Sequence, residues 1–341
     1  MDCMDTASDS FSTNCSLENC TEEETTKSVT QIRDWVAGIF LLIVCITGLI
    51  GNSMVIFVVL RYAKMKTVTN LYILNLAIAD DLFMIALVFL SIATLAGNNW
   101  IFGPVLCHVV YAIDGLNQFT SVFCLTAMSM DRYVAVCHAR RVRGYRTLRL
   151  AICVNFGVWF LALAAASPMN IVTRYTVYNG TPVCYFNFES VFGKDAVVIT
   201  QKLFMIYTTL MGLVIPLVII SVCYSSIVVR LKKLGTRTGK MKKSRKVNRV
   251  VFFVVLAFFM CWWPFYVWRT IVVFVPCLAQ QWFNGLVLDF TMCLGYLNSC
   301  ANPLLYGFLS GNFKKSFRKV WNCTQETEIQ NGRRRAPAQP M

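Results

Sequence analysis

The 341 residues are 57% hydrophobic and 14% charged, with a mean hydropathy of +0.57. A soluble globular domain of this length is not so apolar, so that class is excluded. The formal net charge of +15 lies in loops that flank apolar segments. It forms no single basic domain of the kind that grips nucleic acid.

A helix needs roughly 20 apolar residues to cross hydrocarbon. Seven segments meet that requirement: Trp35–Tyr62, Asn70–Ala96, Pro104–Val136, Leu148–Val172, Val197–Leu231, Val247–Val275 and Phe283–Leu309. Backbone groups must be satisfied inside lipid, which leaves helices or a closed barrel. Barrel strands are short and alternate, so these long continuous runs predict an all-α bundle of seven transmembrane helices. The chain then divides into a tail over 1–33, a seven-helix domain over 34–310, an amphipathic juxtamembrane helix over 311–323 and a second tail over 324–341. No internal repeat is visible, which argues against an inverted-repeat transporter.

The N-terminal tail is polar and acidic. It lacks a basic n-region followed by an apolar stretch, so no cleavable signal peptide is expected. It carries the sequons Asn14-Cys15-Ser16 and Asn19-Cys20-Thr21, which are glycosylation acceptors if the tail is extracellular. Basic residues crowd alternate loops: Arg61, Lys64 and Lys66 after the first span, and Arg140, Arg141, Arg143, Arg146 and Arg149 after the third. A further cluster runs from Arg230 to Arg249, and Lys314, Lys315, Arg318, Lys319 and Arg333 to Arg335 follow the seventh span. The positive-inside rule makes that side cytosolic. An odd number of spans then puts the N-terminus outside and the C-terminus inside.

The second span contains Asp80 and Asp81, and ionisable groups at membrane depth mark functional sites by default. Asp80 lies ten residues from Asn70, roughly 15 Å along the helix and near mid-membrane. In the third span Asp114, Asn117, Gln118 and Ser121 follow i, i+3, i+4, i+7 spacing and share one face. Such a stripe cannot face lipid cheaply, so it lines a cavity. Asp114 lies about 25 Å from Asp131 at the cytosolic end, reachable from outside. The seventh span adds Asn298, Ser299 and Asn302. Oxygens of Asp80, Asn117, Ser121, Asn298 and Ser299 suit a hard cation and water; a water-filled hydrogen-bond network is the other reading.

Asp131-Arg132-Tyr133 ends the third span. Asp131 can hold Arg132 in a resting geometry, and the basic start of the sixth span offers no alternative acid. The long outer loop after the fourth span is rich in Tyr, Phe and β-branched residues, which suits a hairpin. It carries a third sequon at Asn179 and a cysteine, Cys184. Cys107 also faces the oxidising side, and a bridge to Cys184 would pin the loop over the bundle. Spacing alone does not fix connectivity, since Cys277 is also outside and can pair with Cys3, Cys15 or Cys20. Pro264 and Pro303 each remove a backbone bond and favour kinks beside the polar cavity. Cys323 follows "GNFKKSFRKVWNC", where it is either a palmitoylation site or a free thiol.

Taken in order, Asn52 after Gly51, Asp80 in "NLAIAD", Cys107, "DRY", Trp159, Pro216 with Tyr224, "CWWP" and "NPLLY" resemble the rhodopsin-like G-protein-coupled receptors. The phrases "DGLNQFTS", "CLTAMSMDRYVAVCH" and "GYLNSCANPLLYGFLSGNFKKSF" are most similar to somatostatin and allatostatin-C peptide receptors, with opioid receptors next. The resemblance implies that Asp114 pairs with a basic residue of a peptide, and that Gln118, Thr208, Phe265, Tyr266, Arg269 and Tyr296 surround the ligand. It implies an allosteric sodium ion at Asp80, Asn117, Ser121, Asn298 and Ser299, with no other cofactor. Trp262, Pro264, Asn302, Pro303, Tyr306 and Tyr224 correspond to the activation switch, and Asp131, Arg132, Tyr133 and Ala139 to the coupling surface. The implied partners are a heterotrimeric G protein of the inhibitory class, arrestin, receptor kinases and membrane lipids, in the plasma membrane.

Three positions depart from the family pattern. Val88 and Ala139 stand where relatives have proline, and Arg269 stands where they have an uncharged polar residue. Arg269 can pair with Asp114, select an acidic ligand group or snorkel to the headgroups. Other chemistries fit poorly. An amine receptor also uses an acid at Asp114, but the fifth span offers Thr208 and Thr209 without a serine cluster. A retinal protein needs a Schiff-base lysine in the seventh span, which has none. A zinc hydrolase needs more histidines than His108 and His138.

Overall fold

A computed structural model describes residues 18–139, 141–142, 144–234, 239–281, 283–318 and 320, with the side chains of 18–27, 64, 234 and 239–247 outside the description. Six continuous long helices run over Glu18–Arg61, Val68–Leu95, Gly103–Cys137, Leu148–Val172, Gly239–Phe274 and Asn284–Leu309. They are the first to fourth, sixth and seventh spans. The fifth span has three parts, Val197–Thr209, a π turn at Leu210–Val214 and Ile215–Leu234. Pro216 has no N–H to give to Gly212, so the regular ladder fails there and the backbone takes the wider turn.

Sequence neighbours pack side by side, and the first helix closes the ring against the seventh. The third helix is central, touching the second, fourth, fifth and sixth. Apolar side chains such as Val55, Leu76, Phe83, Leu87, Val122 and Phe258 fill the interior, while Phe160, Val222, Met260 and Phe308 point outward as a lipid-facing surface requires. Lipid supplies no hydrophobic drive between helices, so close packing and interhelical hydrogen bonds hold them. Asn52 Nδ2 donates to the Ser299 carbonyl at 3.1 Å, and Trp159 Nε1 donates to Asn75 Oδ1 at 2.6 Å. Gly212 lets the fifth helix approach the sixth, because a Cβ there would overlap the Tyr266 hydroxyl.

The second and fourth helices begin alike. Thr67 and Thr147 accept bonds from the backbone N–H groups of Asn70 and Leu150, satisfying free donors of the first turn. The loop after the fourth helix is an antiparallel hairpin, β1 Thr173–Tyr178 with β2 Thr181–Phe186. Its two-residue turn is Asn179-Gly180, with φ of 48° and 80°. Both positive angles match the turn that twists with its strands, and Asn-Gly is its favoured pair.

Two features differ from the sequence reading. Among the described residues, five spans are apolar enough to qualify as membrane-crossing by composition; the third and seventh are not among them. They carry the polar stripes that face the bundle interior. The first helix also starts at Glu18, well before Trp35. No Gly or Pro interrupts 18–34, and Arg33 ties that end to Asp289 of the seventh helix at 3.3 Å. After Ser310 the backbone is again helical at 311–318 and 320. Phe313 is buried there and stacks on Tyr306 at 5.6 Å.

Candidate functional site

A cavity of about 490 Å³ opens inside the hairpin end of the bundle. The third helix supplies Tyr111, Asp114 and Gln118, one turn apart or nearly so, which puts all three on the inner face. The fifth helix supplies Phe204, Met205 and Thr208. Trp262, Phe265, Tyr266 and Arg269 come from the sixth helix, and Asp289, Met292, Cys293 and Tyr296 from the seventh. The cavity thus brings together Asp114, Gln118, Thr208, Phe265, Tyr266, Arg269 and Tyr296 from four helices.

The hairpin forms part of the rim through Cys184, Tyr185 and Phe186. Three links fix it. A disulfide joins Cys107 to Cys184 with Cα atoms 5.8 Å apart. Tyr111 Oη donates to the Cys184 carbonyl at 3.0 Å, and the Trp100 N–H donates to the Pro182 carbonyl at 2.7 Å. Cys277 carries a free thiol. Asn179 sits at the hairpin tip, while Asn14, the Asn19 side chain and Cys323 lie outside the described residues.

The charges in the cavity fall into two groups. At the rim Arg33 contacts Asp34 at 2.9 Å and Asp289 at 3.3 Å, and Asn98 donates to Asp34 at 3.2 Å. Asp114 and Arg269 line the same cavity, yet neither makes a hydrogen bond or ion pair with any described residue. Arg269 lines the cavity without an ion pair to Asp114. Arg33, Asp34 and Asp289 escaped the sequence reading because nothing in one helix foretells a contact to a residue 255 or so positions away.

Deeper in the bundle Asp80 is fully buried. Ser299 Oγ donates to Asp80 Oδ1 at 2.8 Å, and Asn302 Nδ2 donates to Asp80 Oδ2 at 2.9 Å. Asn117 and Ser121 bond to each other at 3.4 Å, and neither bonds to Asp80. Asn302, read from the sequence as a switch residue, is thus also a direct partner of the acid. Asn298 Oδ1 and Asn302 Oδ1 are buried without a partner among the described residues. A carboxylate, a hydroxyl and two open amide oxygens make a hard-oxygen donor set, which suits an alkali cation better than a soft metal.

At the far end of the third helix Arg132 is bonded to Asp131, both largely buried. Asp131 also accepts two bonds from Arg146, from Nε at 2.7 Å and Nη2 at 2.9 Å. Tyr133 rests edge-on against His138 at 5.3 Å, and Ala139 is exposed. Between these ends Trp262 packs against Phe258, Phe265, Tyr266 and Tyr296, with ring centres 5.9 to 6.5 Å apart. Pro264 and Pro303 lie inside their helices. The hydroxyls of Tyr224 and Tyr306 are buried with no partner among the described residues. A few unsatisfied groups between two sites leave room for rearrangement, because a second packing can satisfy them.

The family model described as "7 transmembrane receptor (rhodopsin family)" matches residues 51–306. Somatostatin receptor type 2 of Mus musculus is 45% identical over 296 residues, covering 86% of this chain and 78% of that one. Somatostatin receptor type 5 of Bos taurus is 46% identical over 287 residues, covering 84% and 76%. Somatostatin receptor type 4 of Rattus norvegicus is 43% identical over 281 residues, covering 82% and 70%.

Proposed function

Because the chain belongs to the rhodopsin family of seven-transmembrane receptors, a family of non-enzymatic multi-pass plasma membrane proteins that couple to G proteins, we propose that its ligand is a short somatostatin- or allatostatin-C-like neuropeptide carrying a basic side chain. Asp114 carries this reading. Its carboxylate lies in a cavity that opens toward the hairpin and has no partner among the described residues. A desolvated charge left alone costs about 3–5 kcal/mol, so a ligand cation that reaches it binds strongly. Gln118, Thr208, Phe265, Tyr266 and Tyr296 then enclose the apolar part of the peptide, as aromatic-lined pockets do.

Peptide binding shifts an existing equilibrium toward a state open at the Asp131 end. Trp262 forms part of the cavity and touches four aromatic rings, so it transmits the shift to the sixth helix. Pro264 and Pro303 supply the hinges, and Tyr224, Asn302 and Tyr306 find new partners as Arg132 leaves Asp131. Asp131, Arg132, Tyr133 and Ala139 form the surface for a G protein of the inhibitory class. A sodium ion held by Asp80, Asn117, Ser121, Asn298 and Ser299, with Asn302 bonded to the same acid, would supply positive charge that favours the resting state.

The hairpin end faces outside, with the N-terminal tail and its glycans at Asn14 and Asn19 and a further one at Asn179. The basic end faces the cytosol, where arrestin and receptor kinases follow the G protein. The domain limits are 1–33, 34–310, 311–323 and 324–341, and palmitoylated Cys323 holds the amphipathic helix on the lipid surface. The test is a screen of cyclic peptides containing Trp-Lys against membranes bearing the full chain, read as guanine-nucleotide exchange. Exchange on an inhibitory G protein, with peptide binding weakened by added GTP analogue, is the expected result. Binding indifferent to guanine nucleotide contradicts the proposal.

A further inference from the structure

Five charged side chains line the cavity: Arg33, Asp34, Asp114, Arg269 and Asp289. Arg33 bridges both Asp34 and Asp289, and Asn98 completes the Asp34 shell. That leaves Asp114 and Arg269, opposite in sign and each without a partner among the described residues. If they were spaced to neutralise each other they would pair, since an unpartnered charge away from water is costly. No ion pair joins them. The cavity therefore holds one negative and one positive binding point, separated by space that a ligand fills.

On that basis, and resting on the peptide-receptor reading above, we infer that Arg269 is a specificity residue for a carboxylate, so that the ligand is a bipolar peptide with its cation on Asp114 and its anion on Arg269. The guanidinium fork suits the task, because it meets a carboxylate with two parallel hydrogen bonds and stays charged. Its position suits it too. Arg269 lies seven residues beyond Trp262, about 10 Å along the sixth helix toward the hairpin end. A carboxylate at that level comes from a free C-terminus or from an acidic side chain. A peptide with the cation alone would bring a second positive charge into a cavity that already holds Arg269, and would bind more weakly. Specificity here comes from repulsion as well as attraction.

The experiment uses the full chain in cell membranes and three cyclic lysine peptides that share one ring sequence. The first has a free C-terminus, the second a C-terminal amide, and the third an amide plus one aspartate outside the ring. Guanine-nucleotide exchange is read at matched surface levels for wild type, Arg269→Gln, Arg269→Lys and Asp114→Asn. The free acid or the aspartate peptide, or both, should be at least about tenfold more potent than the plain amide on wild type. Which of them gains identifies the source of the carboxylate. Arg269→Gln should erase that advantage, and Arg269→Lys should keep part of it. Equal potency of all three peptides, or an equal loss for all in Arg269→Gln, overturns the inference while Asp114→Asn can still uphold the peptide receptor. Silence toward all three, on receptor present at the surface, removes both.

Discussion

Arg146 places two hydrogen bonds, of 2.7 and 2.9 Å, on the carboxylate of Asp131, the same group that holds Arg132. One largely buried acid thus joins the third helix to the loop that follows it and to Arg132. Bonds of this charge-assisted kind contribute about 1.5–3 kcal/mol each, more than neutral ones.

Neutralising that acid should release both arginines together. Asp131→Asn is expected to raise basal nucleotide exchange several-fold in the absence of peptide. Arg146→Gln frees the loop but leaves Arg132 on Asp131, so its rise should be smaller. Exchange assays on matched membranes check this, and a larger effect from Arg146→Gln would show that the loop contact, not the arginine of the helix, is the restraint.

Asp80 presents a carboxylate to hydroxyl and amide groups, with bonds from Ser299 and Asn302 at 2.8 and 2.9 Å. Replacing potassium by sodium at constant ionic strength should weaken agonist peptide binding to the wild type. Asp80→Asn should abolish that dependence, because the remaining donors carry no charge. A sodium effect that survives the substitution would place the ion elsewhere.

The contact of Gly212 with the Tyr266 hydroxyl leaves no room for a methyl group. Overpacking of this kind costs about 1–3 kcal/mol, so Gly212→Ala should lower the melting temperature of the purified receptor. Adding Tyr266→Phe removes the hydroxyl, which has no hydrogen-bond partner among the described residues, and should restore part of the loss. Strictly additive destabilisation would mean that the two residues do not meet.

The bundle was legible because lipid imposes its own length and continuity on a span; five spans are apolar enough by composition alone among the described residues, and the third and seventh carry polar stripes besides. The polar stripe from Asp114 to Ser121 was legible because helical spacing is a local property. The start of the first helix was not, since the polar stretch before Trp35 has neither a stop signal nor an apolar face. The disulfide and the hairpin were read from cysteine placement and loop composition, although Asn179-Gly180 already carried the sharper turn signal. Contacts set by tertiary packing stayed hidden: Arg146 on Asp131, Arg33 between Asp34 and Asp289, and Asn302 on Asp80. Each joins parts of the chain whose nearness depends on the whole bundle. The direction of Arg269 was likewise open in the sequence; in the structure it is one of the residues that line the cavity.

The most direct measurement is the potency of a cyclic lysine peptide that activates the wild type, compared on Asp114→Asn at equal surface expression. Loss of the ion pair should lower potency at least about a hundredfold, matching a buried charge pair of about 3 kcal/mol or more. Replacing the peptide lysine by norleucine should cause a similar loss on the wild type and little further loss on the variant. Unchanged potency in Asp114→Asn would contradict the role given to this carboxylate and, with it, the assignment of the cavity as the peptide site.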